Sequence, residues 1–277
     1  MYIHQELINE VRDKDVVLFV GAGLTMNLGL PSWNELIEVM AKDLGLSPEK
    51  FKNSGDFYEL AEFYKLKKGS VGPIRSWMDV NFHSNKIDIG ESKIFKTLLD
   101  LDFPIIYTTN YDRWIEFSYD YFKKPFTKIC NIFDLTKVTT GITQLIKFHG
   151  DFDDDDTIVL SESSYFERLS LDSPLDMKLR SDTLGKTILF IGYSLSDINI
   201  RYMFYKLNKY WATSGYQGVK PKSYIFMVED NPVKRLLLNE KGIETIVSDI
   251  EDDTLALEDF LIQLKERSLK VEKSSLK

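Results

Sequence analysis

A single cysteine, Cys130, is the sharpest shortage in the 277 residues. It excludes an internal disulfide and any zinc site built from four cysteines. Histidine is nearly as scarce, with only His4, His83 and His149. Positive charge is in deficit: 35 Lys and Arg stand against 43 Asp and Glu, for a formal net charge of −8. Such a chain gains little from a phosphate backbone without a local basic patch. The modest basic stretch KERSLKVEKSSLK does not amount to one, so direct nucleic-acid binding is not expected. No apolar run approaches the length that spans a bilayer. The first residues, MYIHQELINEVRDKD, carry no apolar signal core. A cytoplasmic location away from membranes is the expectation.

The content that is present is ordinary for a globular protein, 43% hydrophobic and 28% charged, and sufficient to bury a large core. DVVLFVGAG is a continuous apolar run ending in a glycine turn, the pattern of a buried parallel strand. Ser32 is placed to cap the following helix, WNELIEVMAKDLG, with Glu35 as its capping-box partner. From about 45 to 101 the pattern is helical and polar, and reads as an insertion. Strands then alternate with helices: PIIYTT, QLIKFHG, a possible short TIVL, KTILFIG, SYIFMVED and IETIV, with helices between and after them. The expectation is an α/β fold: a Rossmann-like parallel sheet with helices on both faces. A single domain would span 1–277, with a helical insertion at 45–101 and a polar tail at 268–277.

In open parallel sheets, ligands bind at the carboxyl ends of the strands. Those ends here are Gly21-Ala22-Gly23, Thr108-Thr109-Asn110-Tyr111-Asp112, His149-Gly150-Asp151, Gly192-Tyr193-Ser194 and Glu229-Asp230-Asn231, nearly all small or polar. Each has a plain structural reading beside a functional one. The glycine turn is a tight βα connection, or a phosphate cradle at a helix end; Met26 stands where a full dinucleotide fingerprint has glycine. Asn110 is a helix cap, or an amide aimed at a ligand. His149 is a hydrogen-bonded core ring, or a base at a strand end. Ser196 or Asp197 caps a helix, or holds a ribose or phosphate. Asp153 to Asp156 read as a solvated turn rather than a metal site. Cys130 reads as a buried, neutral thiol. Trp33, Trp77, Trp114 and Trp211 read as core or interface residues.

The order of the pieces carries a resemblance. GAGLTMNLGLPSW resembles the sirtuin signature of a Gly-Ala-Gly turn, a hydroxyl residue, then Gly-x-Pro and an aromatic, here Trp33. TTNYD resembles the sirtuin Thr-Gln-Asn-x-Asp motif, with Thr109 in place of Gln; HGD resembles its His-Gly. GYSLSD stands where sirtuins carry Gly-Thr-Ser, and VEDNP where a later strand meets adenosine. The paired CxxC motifs of the protein-deacylating sirtuins are missing, Ser32 and Asn34 replace family residues, and the Asn110-to-His149 spacing is long. These departures are similar to the sirtuin-like domains of bacterial anti-phage defence (Thoeris, defence-associated sirtuin and HerA-associated types).

That resemblance implies an NAD+ hydrolase depleting cellular NAD+, with NAD+ as substrate and no metal. It also implies a homo-oligomer, or a partner ATPase or other defence protein. It makes His149 the base acting on the nicotinamide-ribose hydroxyls and has Asn110 orient water or ribose. Asp112 would contact the nicotinamide carboxamide, with Thr109 and Trp33 as further NAD-binding candidates. Gly21, Ala22, Gly23 and Thr25 would line the phosphates. Gly192, Ser194, Asp230 and Asn231 would hold the adenosine half. The alternatives are an NAD-dependent protein deacylase, and a non-catalytic NAD or ADP-ribose-binding module gating a partner ATPase.

Overall fold

The computed structural model describes residues 1–154 and 157–269. Asp155 and Asp156 of the acidic run, and the polar tail from 270 onward, lie outside the described residues. Seven strands form one sheet: β1 (Val16–Val20), β2 (Ile105–Thr108), β3 (Phe126–Ile129), β4 (Thr143–Lys147), β5 (Thr187–Ile191), β6 (Ser223–Met227) and β7 (Ile243–Val247). Their order is β3-β4-β2-β1-β5-β6-β7 and all pairings are parallel. Every residue of β1, β2 and β5 is buried, as unbroken apolar runs covered on both faces require.

The pleat divides β1 between two cores. Val16, Leu18 and Val20 face a cluster formed with α1 (Gln5–Arg12), α6 (Lys93–Leu101), α7 (Trp114–Tyr121) and α13 (Asp253–Leu269). Val17 and Phe19 face one formed with α10 (Pro174–Leu184), α11 (Ile198–Ser214) and α12 (Pro232–Asn239). Of the apolar face anticipated for the first helix, Leu7, Ile8 and Val11 lie in α1 and are buried, and Ile3, just before it, is buried as well.

A third cluster belongs to α2 (Trp33–Asp43), α3 (Pro48–Lys52), α4 (Phe57–Lys68) and α5 (Gly72–Phe82), which pack on Tyr111, Phe152, Ile158 and Leu160. The Ser32–Glu35 capping box opens α2. Packing places α6 with the sheet, so the separate helical core ends near residue 82 rather than 101. No helix among the described residues is long and apolar enough to cross a membrane.

Two elements differ from the sequence reading. TIVL is not a strand: Val159 N–H bonds His149 O at 3.0 Å, while Ile158 and Leu160 pack into the helical lobe. Conversely, FTKI forms the edge strand β3, followed by a one-turn helix, α8 (Ile132–Leu135). Its half-buried, mixed-polarity residues lack the apolar run that marks the central strands.

Candidate active site

The chain leaves β1 for β2 on one side and later returns to β5 on the other, so the carboxyl ends of β1 and β5 flank a topological switch point. There the two turns press together. Gly23 N–H bonds Gly192 O at 2.8 Å, and a Cβ at Gly21 would stand 2.4 Å from that same oxygen. Only glycine permits this approach. A cleft of about 280 Å³ opens beside it, with Gly23, Asn27, Gly192, Phe226 and Asp253 among its walls. A larger hollow of about 630 Å³ lies at the amino ends of β6 and β7, with Lys220, Lys222 and Glu244 on its wall; the chemistry at the strand carboxyl ends singles out the smaller one.

The chain after Gly21 does not enter an α-helix directly. Ala22–Leu24 and Met26–Leu28 are successive 3-10 turns, and α2 begins only at Trp33. The glycine turn therefore leads into 3-10 turns rather than directly into an α-helix, with Ala22 and Gly23 in the first of them. Thr25 is buried and faces inward, its Oγ1 donating to Asp112 Oδ2 at 3.1 Å and accepting from Asn110 Nδ2 at 3.5 Å.

Asn110 is not a helix cap, because α7 starts at Trp114, whose N–H is taken by Asp112 Oδ1 at 3.1 Å. Asn110 instead donates to Gly21 O at 3.1 Å, fastening the β2 end to the glycine turn. Both Asp112 oxygens thus have partners within the protein. Thr109 is half-buried and lies beside the Tyr193 side chain.

His149 lies on the neighbouring crossing. Thr108 of β2 pairs in register with Lys147 of β4, so Asn110 and His149 each follow two residues beyond one level of adjacent strands. The imidazole is 3% exposed. Its Nε2 stands 3.0 Å from Asp197 Oδ2, at ion-pair distance though not in line for a straight hydrogen bond. Its Nδ1 meets the Tyr165 hydroxyl at 3.4 Å. Asp197 also caps α11, Oδ1 accepting from Asn199 N (2.8 Å) and Ile200 N (3.1 Å). Burial pushes the Asp197 carboxyl up, but the adjacent His149 ring and the bonds from the helix amides outweigh it and hold the group below its usual range. Tyr165, Tyr193 and Tyr111 stay neutral phenols, pushed up first by burial and then by nearby acidic groups.

Beneath these side chains lies a charge cluster. Lys147, fully buried, pairs with Glu116 at 3.2 Å and donates to the backbone oxygens of Tyr111 and Asp112. Asp151 is 1% exposed and pairs with Lys128 (3.3 Å) and Arg113 (3.6 Å). Asp153, anticipated in a solvated turn, joins the same bases at 2.6 and 2.7 Å. Burial raises the Cys130 thiol to about 12, with Asp151 contributing. Among the described residues no group of three His, Cys, Asp or Glu side chains converges as a metal site.

The remaining candidates are peripheral. Trp33 is 47% exposed, its ring tilted against Phe57 at 4.5 Å and edge-on to Tyr111 at 6.1 Å. Ser194 is exposed and bonded to Ser196 at 2.8 Å. Asn231 caps α12 and Asp230 pairs with Arg235 at 3.1 Å, so both have local duties. Sequence reasoning missed Lys147, Tyr165 and the contact of Asp197 with His149. A lysine inside the apolar run QLIKF was the available signal for the first; Tyr165 carried none.

A parallel sheet with a glycine-packed switch point, and Asn110 and His149 following adjacent strand ends, make up an α/β domain of sirtuin type. The SIR2-like domain model matches residues 104–246, and the chain belongs to that family. It is 32% identical over 206 residues to "NAD(+) hydrolase ThsA" of Bacillus cereus (strain MSX-D12), covering 72% of this chain and 41% of that protein. Against "Defense-associated sirtuin 2" of Bacillus subtilis it is 27% identical, covering 87% of this chain and 24% of that protein. The chain thus spans less than half the length of these curated relatives. A Sir2 homologue solved with ADP-ribose superposes with a TM-score of 0.54 at 13% identity, over 97% of this chain and 100% of that one. At that identity the match speaks for the fold.

Proposed function

We propose that this chain hydrolyses NAD+ at the nicotinamide–ribose bond, releasing nicotinamide and ADP-ribose. The carrying observation is that Asn110 and His149 follow one level of adjacent strands, Asn110 fastened to the glycine turn and His149 with a carboxylate behind its imidazole. Relatives named as NAD+ hydrolases support the reading. The chemistry suits the residues. Nicotinamide leaves neutral with the bonding electron pair, so no strong acid is needed. Water adds to the ribose carbon and its proton passes to a base. The protein must fix the sugar, shield the developing cation and place one water. His149 would serve as base and Asn110 as the orienting amide. The Asn110 bond to Gly21 O would exchange for contacts to substrate. Thr25, Gly23 and Gly192 would border the phosphates. By analogy with the defence relatives, the chain would act in the cytoplasm as a homo-oligomer, or with a defence-system partner such as an ATPase, to deplete NAD+.

Nicotinamide release is measured by chromatography across protein concentrations, with His149→Ala and Asn110→Ala alongside. Each substitution is expected to lower turnover by about 10²-fold or more while the protein stays folded. Unchanged hydrolysis in either variant overturns the site.

A further inference from the structure

Resting on that reading, we infer that Asp197 is a positioning residue: it holds His149 with the ring proton on Nε2, leaving Nδ1 as the nitrogen that accepts a proton. The two oxygens of Asp197 divide their work. Oδ1 takes two amides at the start of α11. Oδ2 is buried, has no hydrogen-bond partner of its own, and faces His149 Nε2 at 3.0 Å. A buried carboxylate oxygen left without a donor is costly. His149 Nε2 is likewise buried and without a hydrogen-bond partner, and a small turn of the ring that brings an Nε2–H into line with Oδ2 offsets both costs and fixes the tautomer.

The opposite side of the ring accommodates the same assignment. Nδ1 faces a phenol, Tyr165 Oη, which can donate to an unprotonated nitrogen. The Tyr165 ring stands edge-on to the imidazole at 5.2 Å and packs 4.4 Å from Tyr58 of α4. The ring is therefore held from the β5–α11 loop on one side and from α9 (Glu162–Glu167), backed by the helical lobe, on the other. When Nδ1 takes a proton, the imidazolium that forms already has a carboxylate beside it. The arrangement follows the logic of an Asp–His pair in hydrolases, where the acid orients the ring without itself becoming protonated.

Asp197→Asn and Asp197→Ser test the assignment. Asparagine and serine both cap helices well, so α11 is retained and the melting temperature should stay near that of the unmodified chain. Asparagine presents an N–H to Nε2, and serine presents nothing of equal reach. Nitrogen-15 NMR of the ring, assigned by the resonance lost in His149→Ala, should show the Nε2–H tautomer in the unmodified chain and a different balance in both variants. With NAD+, kcat should fall by about 10²-fold or more and KM should move far less. An Nδ1–H tautomer in the unmodified chain overturns the inference. So does wild-type kcat in both folded variants, even where hydrolysis depends on His149. An unmodified chain that releases no nicotinamide overturns the proposed function instead, and the ring spectra still decide the pairing.

Discussion

Lys147 ends β4 with its ammonium group wholly shut away from solvent, a position that lysine rarely occupies without partners. Its partners are unequal. Glu116 is 3.2 Å away, yet burial pushes that carboxyl up more strongly than Lys147 pulls it down. The backbone oxygens of Tyr111 and Asp112 complete the donor's coordination and hold the loop that carries Asn110. Lys147→Met should therefore cost roughly 3–5 kcal/mol, the range for removing one member of a buried charge pair. Glu116→Gln keeps the shape and replaces a carboxyl already driven toward its neutral form. It should cost about 1 kcal/mol, the scale of one hydrogen bond. Urea denaturation of both variants decides the matter; equal losses would mean that the ion pair, and not the lysine-to-backbone clamp, supplies the stability.

At the scale of elements, the turn after β5 is a tight joint in the site. Gly192 has φ +56, and a Cβ there would lie 2.3 Å from Leu24 N, a backbone atom that cannot swing aside. Gly192→Ala combines a left-handed residue, about 1–2 kcal/mol, with a forced separation of the two turns. It should lose at least that much in urea and weaken NAD+-dependent thermal stabilisation. Gly185→Ala is the control, since Gly185 has φ −118 and nothing within 4 Å of a new Cβ. Equal midpoints for the two variants would show that the turns do not depend on close approach.

Elements also explain what was legible beforehand. β1 and β5 announce themselves as unbroken apolar runs, while β3, with two polar residues in FTKI and one buried position, does not. His149 could be placed at a strand end from QLIKFHG alone. The preceding residue of α11 could be read as a cap, because an acid before a helix is a local signal. That its second oxygen meets His149 depends on a crossover from β4 to β5, which passes β2 and β1 in the sheet and leaves no trace in local pattern. Asn110 misleads for the same local reason: the helix begins several residues later than its polar loop suggests.

The molecule as a whole carries an acid liability that these carboxylates set. Asp100 bridges α6 to α13 through Lys265 at 2.7 Å and reaches Lys124 at 3.6 Å; burial raises its carboxyl, and the two lysines outweigh that and lower it. Asp153, bonded to Lys128, and Asp197, beside His149, are also held below their ordinary value of 3.8. A carboxyl with a depressed folded-state pKa contributes stability that is complete above its unfolded value and is lost as pH falls through the folded one. Glu10 and Glu116 work in the other direction. Burial raises both above 4.5, so their charged forms weaken the fold and mild acid relieves that cost. The melting temperature should therefore hold or rise slightly on mild acidification and then drop below about pH 4, once the depressed aspartates begin to protonate. Asp100→Asn removes one of these groups from outside the site. It should melt below the unmodified chain at neutral pH, and the gap should narrow as pH falls below the ordinary carboxyl value and through the depressed folded-state one. Melting curves that stay parallel across the whole range would show that Asp100 acts through packing alone, with its charge and its lysine partners contributing nothing to the union of α6 with α13.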